Sequence, residues 1–205
     1  MSILIKRVAE FRGVHQGEKI IVCGCGTSLL DFAPVASNWT TIGVNDVPAL
    51  FEPTYLLVTD HPERFNSSRC SLINKSKTKY FFTCAKGWRH PRTVHFDLGT
   101  KDIKNLDDPQ KIDHFVHSPF VAVGLAYKMG AKRIGLIGVD FTDGHFYNPG
   151  DGAHPVIKVN YLRQVNKAYH SMIHQLKNRG VSLHNLSQSS LVEVPKITME
   201  EFEKL

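Results

Sequence analysis

The segment Lys19-Ile20-Ile21-Val22-Cys23-Gly24-Cys25-Gly26-Thr27-Ser28-Leu29 constrains the fold more than any other part of the chain. It starts with apolar, β-branched residues, which favour a strand. It turns on Gly24 and Gly26, then enters Thr27, Ser28 and residues able to form a helix. A buried strand, a glycine turn and a helix start form the opening unit of a parallel α/β sheet. The same unit is a ready anion site, because glycines let backbone approach a ligand and free N–H groups at a helix start favour phosphate or carboxylate. Thr27 or Ser28 is suited to cap that helix or to donate a hydroxyl to the ligand. These residues equally suit a tight strand-to-helix turn with no ligand, and a short glycine motif does not separate the two.

The rest of the chain repeats the alternation. Thr40 to Asp46 reads as a second strand, Tyr55 to Asp60 as a third, and Tyr80 to Cys84 and Thr93 to Phe96 as further strands. A helix over 28–36 is shortened or kinked by Pro34. Residues 1–18 suggest a short helix before the first strand. Residues 61–78 are polar, and 97–113 are charged without apolar periodicity; the region 97–117 reads as an exposed loop or lid. Ser118 is placed to N-cap a helix over 119–129, with Pro119 at its first position. Arg133 to Phe141 is the clearest buried strand. A long helix over 156–179, a strand over 181–186 and a short polar C-terminal helix complete the chain. The pattern predicts one domain over residues 1–205, a Rossmann-like, doubly wound, mostly parallel sheet in a three-layer α/β/α arrangement.

A chain of 205 residues is long enough to bury one full core. Its formal net charge of +6 fits an anionic ligand or an acidic surface. No basic helix or aromatic strand motif points to specific nucleic-acid binding. No apolar run reaches the roughly 20 residues that span a bilayer, and the N-terminus lacks a signal-peptide layout. These features predict a cytoplasmic protein, free or peripheral to the inner membrane surface. Cys23, Cys25, Cys70 and Cys84 do not form a disulfide framework, and Cys23 and Cys25 read as small buried residues.

Candidate chemistry gathers at strand ends. In open parallel sheets, ligands bind outside the carboxyl ends of the strands. The glycine turn, Asn45-Asp46, Asp60 and Asp140 all fall there. Asn and Asp also cap following segments, so each alone is ambiguous. The loop after Asp140 holds Asp143, His145, Tyr147, Asp151 and His154. A histidine such as His154 suits proton abstraction at neutral pH, and Tyr147 offers a hydroxyl to a leaving phosphate. Asp60 and Asp140 are the alternative metal ligands, suited to magnesium with a phosphate substrate. His170 and His174 stand four apart on the long helix and read as surface residues. A dinucleotide fingerprint is incomplete, because its third glycine position is Leu29.

Taken together, Gly24-Cys25-Gly26-Thr27-Ser28-Leu29, Asn45, Asp60, Ser118 and Gly138-Val139-Asp140-Phe141 resemble the motifs of the bacterial lipooligosaccharide sialyltransferases. Leu183-His184-Asn185-Leu186 with Ser189-Ser190-Leu191 is similar to that family's last strand. The strand–glycine-turn and late Gly-x-Asp pattern is also similar to 6-hydroxymethylpterin pyrophosphokinase-like and flagellin-glycosylation proteins. Cys25, Thr27, Asp60 and Pro119 stand where the sialyltransferases have Asn, Pro, Asn and Gly. The resemblance implies a Rossmann-like sheet binding a CMP-type nucleotide-sugar, with transfer to a glycan acceptor and no cofactor. Gly24, Cys25, Gly26, Thr27, Ser28, Asn45, Asp60, Ser118 and Asp140 would be the nucleotide-binding positions. Tyr147 would bind phosphate and His154 would be the catalytic base. The alternatives are a magnesium-dependent pyrophosphokinase or phosphotransferase, and a non-catalytic nucleotide-binding protein.

Overall fold

Near-continuous apolar runs become parallel strands buried on both faces, as an all-parallel sheet requires. A computed structural model of the chain describes residues 6–115, 117–142, 144–147 and 159–205. Its main sheet contains β1 (Lys6–Arg7), β2 (Lys19–Cys23), β3 (Thr41–Val44), β4 (Tyr55–Val58), β5 (Tyr80–Thr83) and β6 (Thr93–His95). Two short strands, β7 (Asp97–Leu98) and β8 (Lys111–Ile112), pair separately, and β9 (Arg133–Ile137) and β10 (Ser182–Asn185) complete the main sheet. The spatial order is β1-β6-β5-β4-β3-β2-β9-β10, and every pairing is parallel. This is a Rossmann-like α/β fold. The chain winds outward from β2 in one direction and later returns to its other side, so strand order reverses between β2 and β9. That reversal is where such sheets open a crevice.

Ile20, Ile21 and Val22 of β2 and Ile134 and Leu136 of β9 are wholly buried. Register pairs Lys19 with Arg133 and Cys23 with Ile137, so both strands end at the same level. The chain after β2 forms α1 (Leu29–Phe32) and then a 3-10 segment over Ala33–Asn38, with Pro34 in its first turn. Pro34 therefore shortens the α-helix, as its missing N–H requires. Helix α3 (Ser118–Lys128) packs on β2, β3, β4 and β9, and its Phe120 through Ala126 are all buried. A helix apolar all round is a core helix. Helix α4 (Val159–Lys177) is amphipathic and buries Val165, Tyr169, Met172 and Leu176 on one face. A capped last helix, α5 (Met199–Lys204), buries Phe202. Among the described residues no helix is long and apolar enough to cross a membrane.

Four expectations need correction. The N-terminal segment forms β1 and a 3-10 turn over Val8–Phe11 instead of an α-helix. Residues 61–78 are not a bare polar run: α2 (Ser67–Lys75) forms there, N-capped by the Asn66 side chain, which accepts from Arg69 N at 2.9 Å. It buries only Ile73, so apolar periodicity is nearly absent. Residues 97–113 are not wholly exposed. Ile103, Leu106 and Ile112 are buried, and the buried Asp113 carboxylate accepts from Thr100 N (2.9 Å), Asn105 N (2.6 Å) and Asn105 Nδ2 (2.7 Å). Lys128 Nζ ties the same segment down by donating to the carbonyls of Asn105, Leu106 and Asp108. Finally, the N-cap of α3 is His117, and Ser118 lies inside the helix.

Candidate functional site

The turn after β2 interlocks with the turn after β9. Gly24 N donates to Ile137 O at 2.8 Å, and Gly26 N donates to Gly138 O at 2.7 Å. A Cβ on Gly24 would lie 2.3 Å from the Gly138 carbonyl oxygen, and one on Gly26 would lie 2.4 Å from Asp140 Oδ2. Both positions exclude any side chain, and the excluding groups belong to the protein itself. Asp140 is buried and accepts from Ser28 N at 2.9 Å and from Ser28 Oγ at 2.6 Å. Ser28 Oγ in turn accepts from Gly138 N at 2.9 Å. The anion at this turn is therefore Asp140. Neither Thr27 nor Ser28 caps α1 through its side chain, which corrects the capping role expected of them. The Ser28 groups expected to meet a ligand are engaged by Asp140.

A cleft of about 1020 Å³ lies beyond the carboxyl ends of β2, β3, β4 and β9. Of the positions named from sequence, Cys25, Gly26, Asn45, Asp60, Ser118, Asp140 and Tyr147 line it. Gly24, Thr27 and Ser28 lie in the turn behind and do not. His154 lies outside the described residues.

Each lining residue has a local reason for its position. Asn45 follows β3 in the left-handed region, with φ of 51°, a conformation Asn tolerates better than most residues. Its side-chain Oδ1 is buried and has no hydrogen-bond partner. The next residue, Asp46, is buried and forms a bidentate pair with Arg69 on α2: Nε to Oδ1 at 2.7 Å and Nη2 to Oδ2 at 2.5 Å. Both Asp46 oxygens are thus engaged by Arg69. The Arg69 guanidinium also sits 4.4 Å from the Phe65 ring centroid, and it is the one arginine or lysine among the described lining residues. Asp60 accepts from Arg64 Nη1 at 3.1 Å. Ser118 Oγ and Thr59 Oγ1 lie 2.9 Å apart, joining the start of α3 to the end of β4.

Tyr147 is 47% exposed and stacks on His145, with ring centroids 5.0 Å apart and planes 11° apart. Burial, followed by the charges of Asp46 and Cys25, pushes the Tyr147 phenol up to about 12. It is a neutral donor at physiological pH. Burial pushes the Cys25 thiol up to about 12 as well, reinforced by Asp46, and burial also raises the Cys23 thiol. Both are protonated, packed thiols, and all four cysteines are free.

Two arrangements escaped the sequence reading. One is the Asp46–Arg69 pair. The other is His117, which lines the cleft beside Phe141 (ring centroids 5.2 Å), Tyr169 (5.5 Å) and Phe120 (6.2 Å). Both ring nitrogens of His117 and the hydroxyl of Tyr169 are buried without a hydrogen-bond partner. Burial pushes the His117 imidazole down to about 3, so it is neutral at physiological pH. The available signal was weak: His117 immediately precedes Ser118-Pro119 at a helix start.

Asp140 has both carboxylate oxygens engaged by Ser28, and among the described residues no group of three His, Cys, Asp or Glu is placed to hold a metal ion. His170 and His174 are surface residues: His170 lies 3.2 Å from Glu193, and His174 lies 3.3 Å from Asn178 Nδ2.

The chain has a Rossmann-like α/β fold with a cleft at the reversal of strand order. The structure is similar to the sialyltransferase CST-II in complex with a trisaccharide acceptor and CMP, with a TM-score of 0.53, 15% identity, and coverage of 87% of this chain and 86% of that one. It is similar to the MAf glycosyltransferase from Magnetospirillum magneticum AMB-1, with a TM-score of 0.61 and 12% identity; the match covers 100% of this chain and 40% of that longer one. It is also similar to an alpha-2,3-sialyltransferase from Campylobacter jejuni in apo form, with a TM-score of 0.50, 17% identity, and coverage of 88% and 80%. No family model matches the sequence, and no curated protein matches it. At these identities the likeness is one of fold.

Proposed function

We propose that the chain is a glycosyltransferase-like protein that binds a CMP-type nucleotide-sugar in this cleft and transfers the sugar to a glycan hydroxyl. One observation carries the proposal. Cys25, Gly26, Asn45, Asp60, Ser118, Asp140 and Tyr147, brought from across the sequence, converge on a single cleft at the reversal of strand order. The unpartnered Asn45 Oδ1 among them is an acceptor awaiting a donor. CMP is bound by the CST-II neighbour, which shares this fold.

In the proposed reaction a base removes the proton from the acceptor hydroxyl. The oxygen attacks the anomeric carbon of the donor sugar, the bond from that carbon to the phosphate oxygen breaks, and CMP leaves. His154 is assigned as the base on sequence grounds. Tyr147, protonated and at the cleft, is assigned to donate to the leaving phosphate, where charge develops. A magnesium-dependent phosphotransferase would instead use Asp60 and Asp140. The engagement of both Asp140 oxygens by Ser28 weighs against it.

Calorimetric titration with CMP and then ATP, each with and without magnesium, tests the proposal. Metal-independent CMP binding, weakened in Asn45→Ala, supports it. ATP binding only with magnesium replaces it by the phosphotransferase. No binding of either nucleotide overturns both.

A further inference from the structure

Charged and aromatic groups reach the cleft from different elements. Asp46, Asp60 and Arg69 come from the ends of β3 and β4 and from α2. Phe115, His117, Phe141 and Tyr161 come from the start of α3, the end of β9 and α4. Phe141 and Tyr161 lie against each other, with ring centroids 6.0 Å apart. Within this aromatic wall His117 holds two buried, unpartnered ring nitrogens, and Tyr169 behind it holds a buried, unpartnered hydroxyl. Buried polar atoms in folded proteins are nearly always satisfied, and each exception calls for an explanation. Apolar rings at both positions would have removed the desolvation penalty. A histidine at position 117, which lines the cleft, is explained if a ligand group supplies its missing partners.

The geometry points to His117, backed by Tyr169 and flanked by Phe141 and Tyr161, as a subsite for an uncharged hydroxyl or amide group of a sugar. The neutral His117 imidazole presents one donor and one acceptor, while Tyr169 packs behind it and does not line the cleft. A sugar hydroxyl or an N-acyl amide complements that set. A phosphate or carboxylate finds no cation here, because the one described lining arginine or lysine is Arg69 on α2. An apolar wall carrying a few convergent polar groups is the usual make-up of a small-molecule pocket. The inference rests on the sugar-transfer proposal for the nature of the ligand, but the unpartnered atoms exist whichever nucleotide binds. Donor sugar and acceptor sugar share this chemistry.

The test uses the full chain, with His117→Phe and Tyr169→Phe as variants that keep the rings. Three readouts are taken: ligand-free melting temperature, calorimetric binding of CMP and CMP-sialic acid, and the ring resonances of His117 on titration with lactose or CMP-sialic acid. Both variants are expected to melt at or above the wild-type temperature. His117→Phe is expected to bind CMP as wild type does and CMP-sialic acid about tenfold more weakly, a fold-change typical of one lost hydrogen bond. A His117 shift with lactose alone assigns the acceptor, and one with CMP-sialic acid alone assigns the donor; either supports the subsite. If CMP binds to no form of the protein but lactose shifts His117, the nucleotide proposal fails and the subsite stands. A fall of several degrees in both ligand-free variants overturns the inference, since the polar atoms would then be satisfied within the protein. Unshifted His117 resonances with both sugars overturn it equally.

Discussion

Asp140 accepts both the backbone N–H and the hydroxyl of Ser28, at 2.9 and 2.6 Å, although the two residues stand 112 positions apart. The carboxylate locks the first turn of the fold to the end of β9. Hydrogen bonds to an ionised, buried acceptor are among the stronger ones. Asp140→Asn or Ser28→Ala alone is expected to cost about 1–3 kcal/mol, because each strands a polar group. The double variant should cost less than the sum, since the residues act on one another directly. Asp60→Asn, at a carboxylate that pairs with the exposed Arg64, serves as the control and should cost under about 1 kcal/mol. Urea denaturation of the four proteins measures the cycle, and additive losses would show that the pair is not coupled.

The sheet was legible because each strand carries its own local signature. Lys19 to Cys23 and Arg133 to Ile137 are apolar runs bounded by turns, and burial on both faces leaves such runs unbroken. Helix α2 was illegible for the converse reason: with Ile73 alone buried, no periodicity marks it. Strand ends placed Cys25, Gly26, Asn45, Asp60 and Asp140 in the cleft lining, since a parallel sheet delivers every carboxyl end to one edge. Pairings across the fold were not legible. Nothing local to Asp46 announces Arg69, and nothing local to His117 announces Tyr169 on α4. The glycine turn shows the limit most clearly. Its pattern suits either an anion or a ligand-free turn, and only the structure reveals that the protein provides a carboxylate from Asp140.

Asn45 separates backbone need from side-chain need. At φ of 51°, glycine keeps the backbone at little steric cost, whereas alanine adds strain. Asn45→Gly is expected to melt within a degree or two of wild type, and Asn45→Ala to lose about 1 kcal/mol more. Both remove the unpartnered Oδ1, so both should weaken CMP binding by a similar factor of about tenfold. Equal CMP affinity in Asn45→Gly and wild type would remove Asn45 from the binding site. A loss confined to Asn45→Ala would assign the effect to backbone strain.

His117 ties stability to acidity. Burial holds its imidazole down near 3, against about 6.5 in an unfolded chain. Above pH 6.5 both states are neutral and its contribution is complete. As pH falls below 6.5 the unfolded state takes up a proton that the folded state refuses, and stability drops by up to about 1.4 kcal/mol per pH unit. His90, His95 and His184 are lowered by burial too and add in the same direction. Between pH 6.5 and 5, above most carboxylate titration, His117→Phe should therefore flatten the decline by close to one proton. Denaturant unfolding at several pH values measures the slope. An unchanged slope would place the ring in contact with solvent.

Catalysis, finally, divides the proposals at one histidine. If His154 removes the acceptor proton, His154→Ala should leave CMP affinity within about twofold and lower the transfer rate by about 10²–10⁴. Tyr147→Phe should slow transfer less, by about 10–100-fold, because it removes one neutral donor from the leaving phosphate. Chelation of divalent metal should change neither wild-type rate nor affinity, as the reaction proposed needs only protein groups. Transfer from CMP-sialic acid to lactose, followed by released CMP, supplies the rate, and the calorimeter supplies the affinity. A rate lost to chelator and restored by magnesium would return Asp60 and Asp140 to the role of metal ligands. Retention of CMP binding with no transfer in wild type would leave the chain a nucleotide-binding protein, and His154→Ala would then be silent in both measurements.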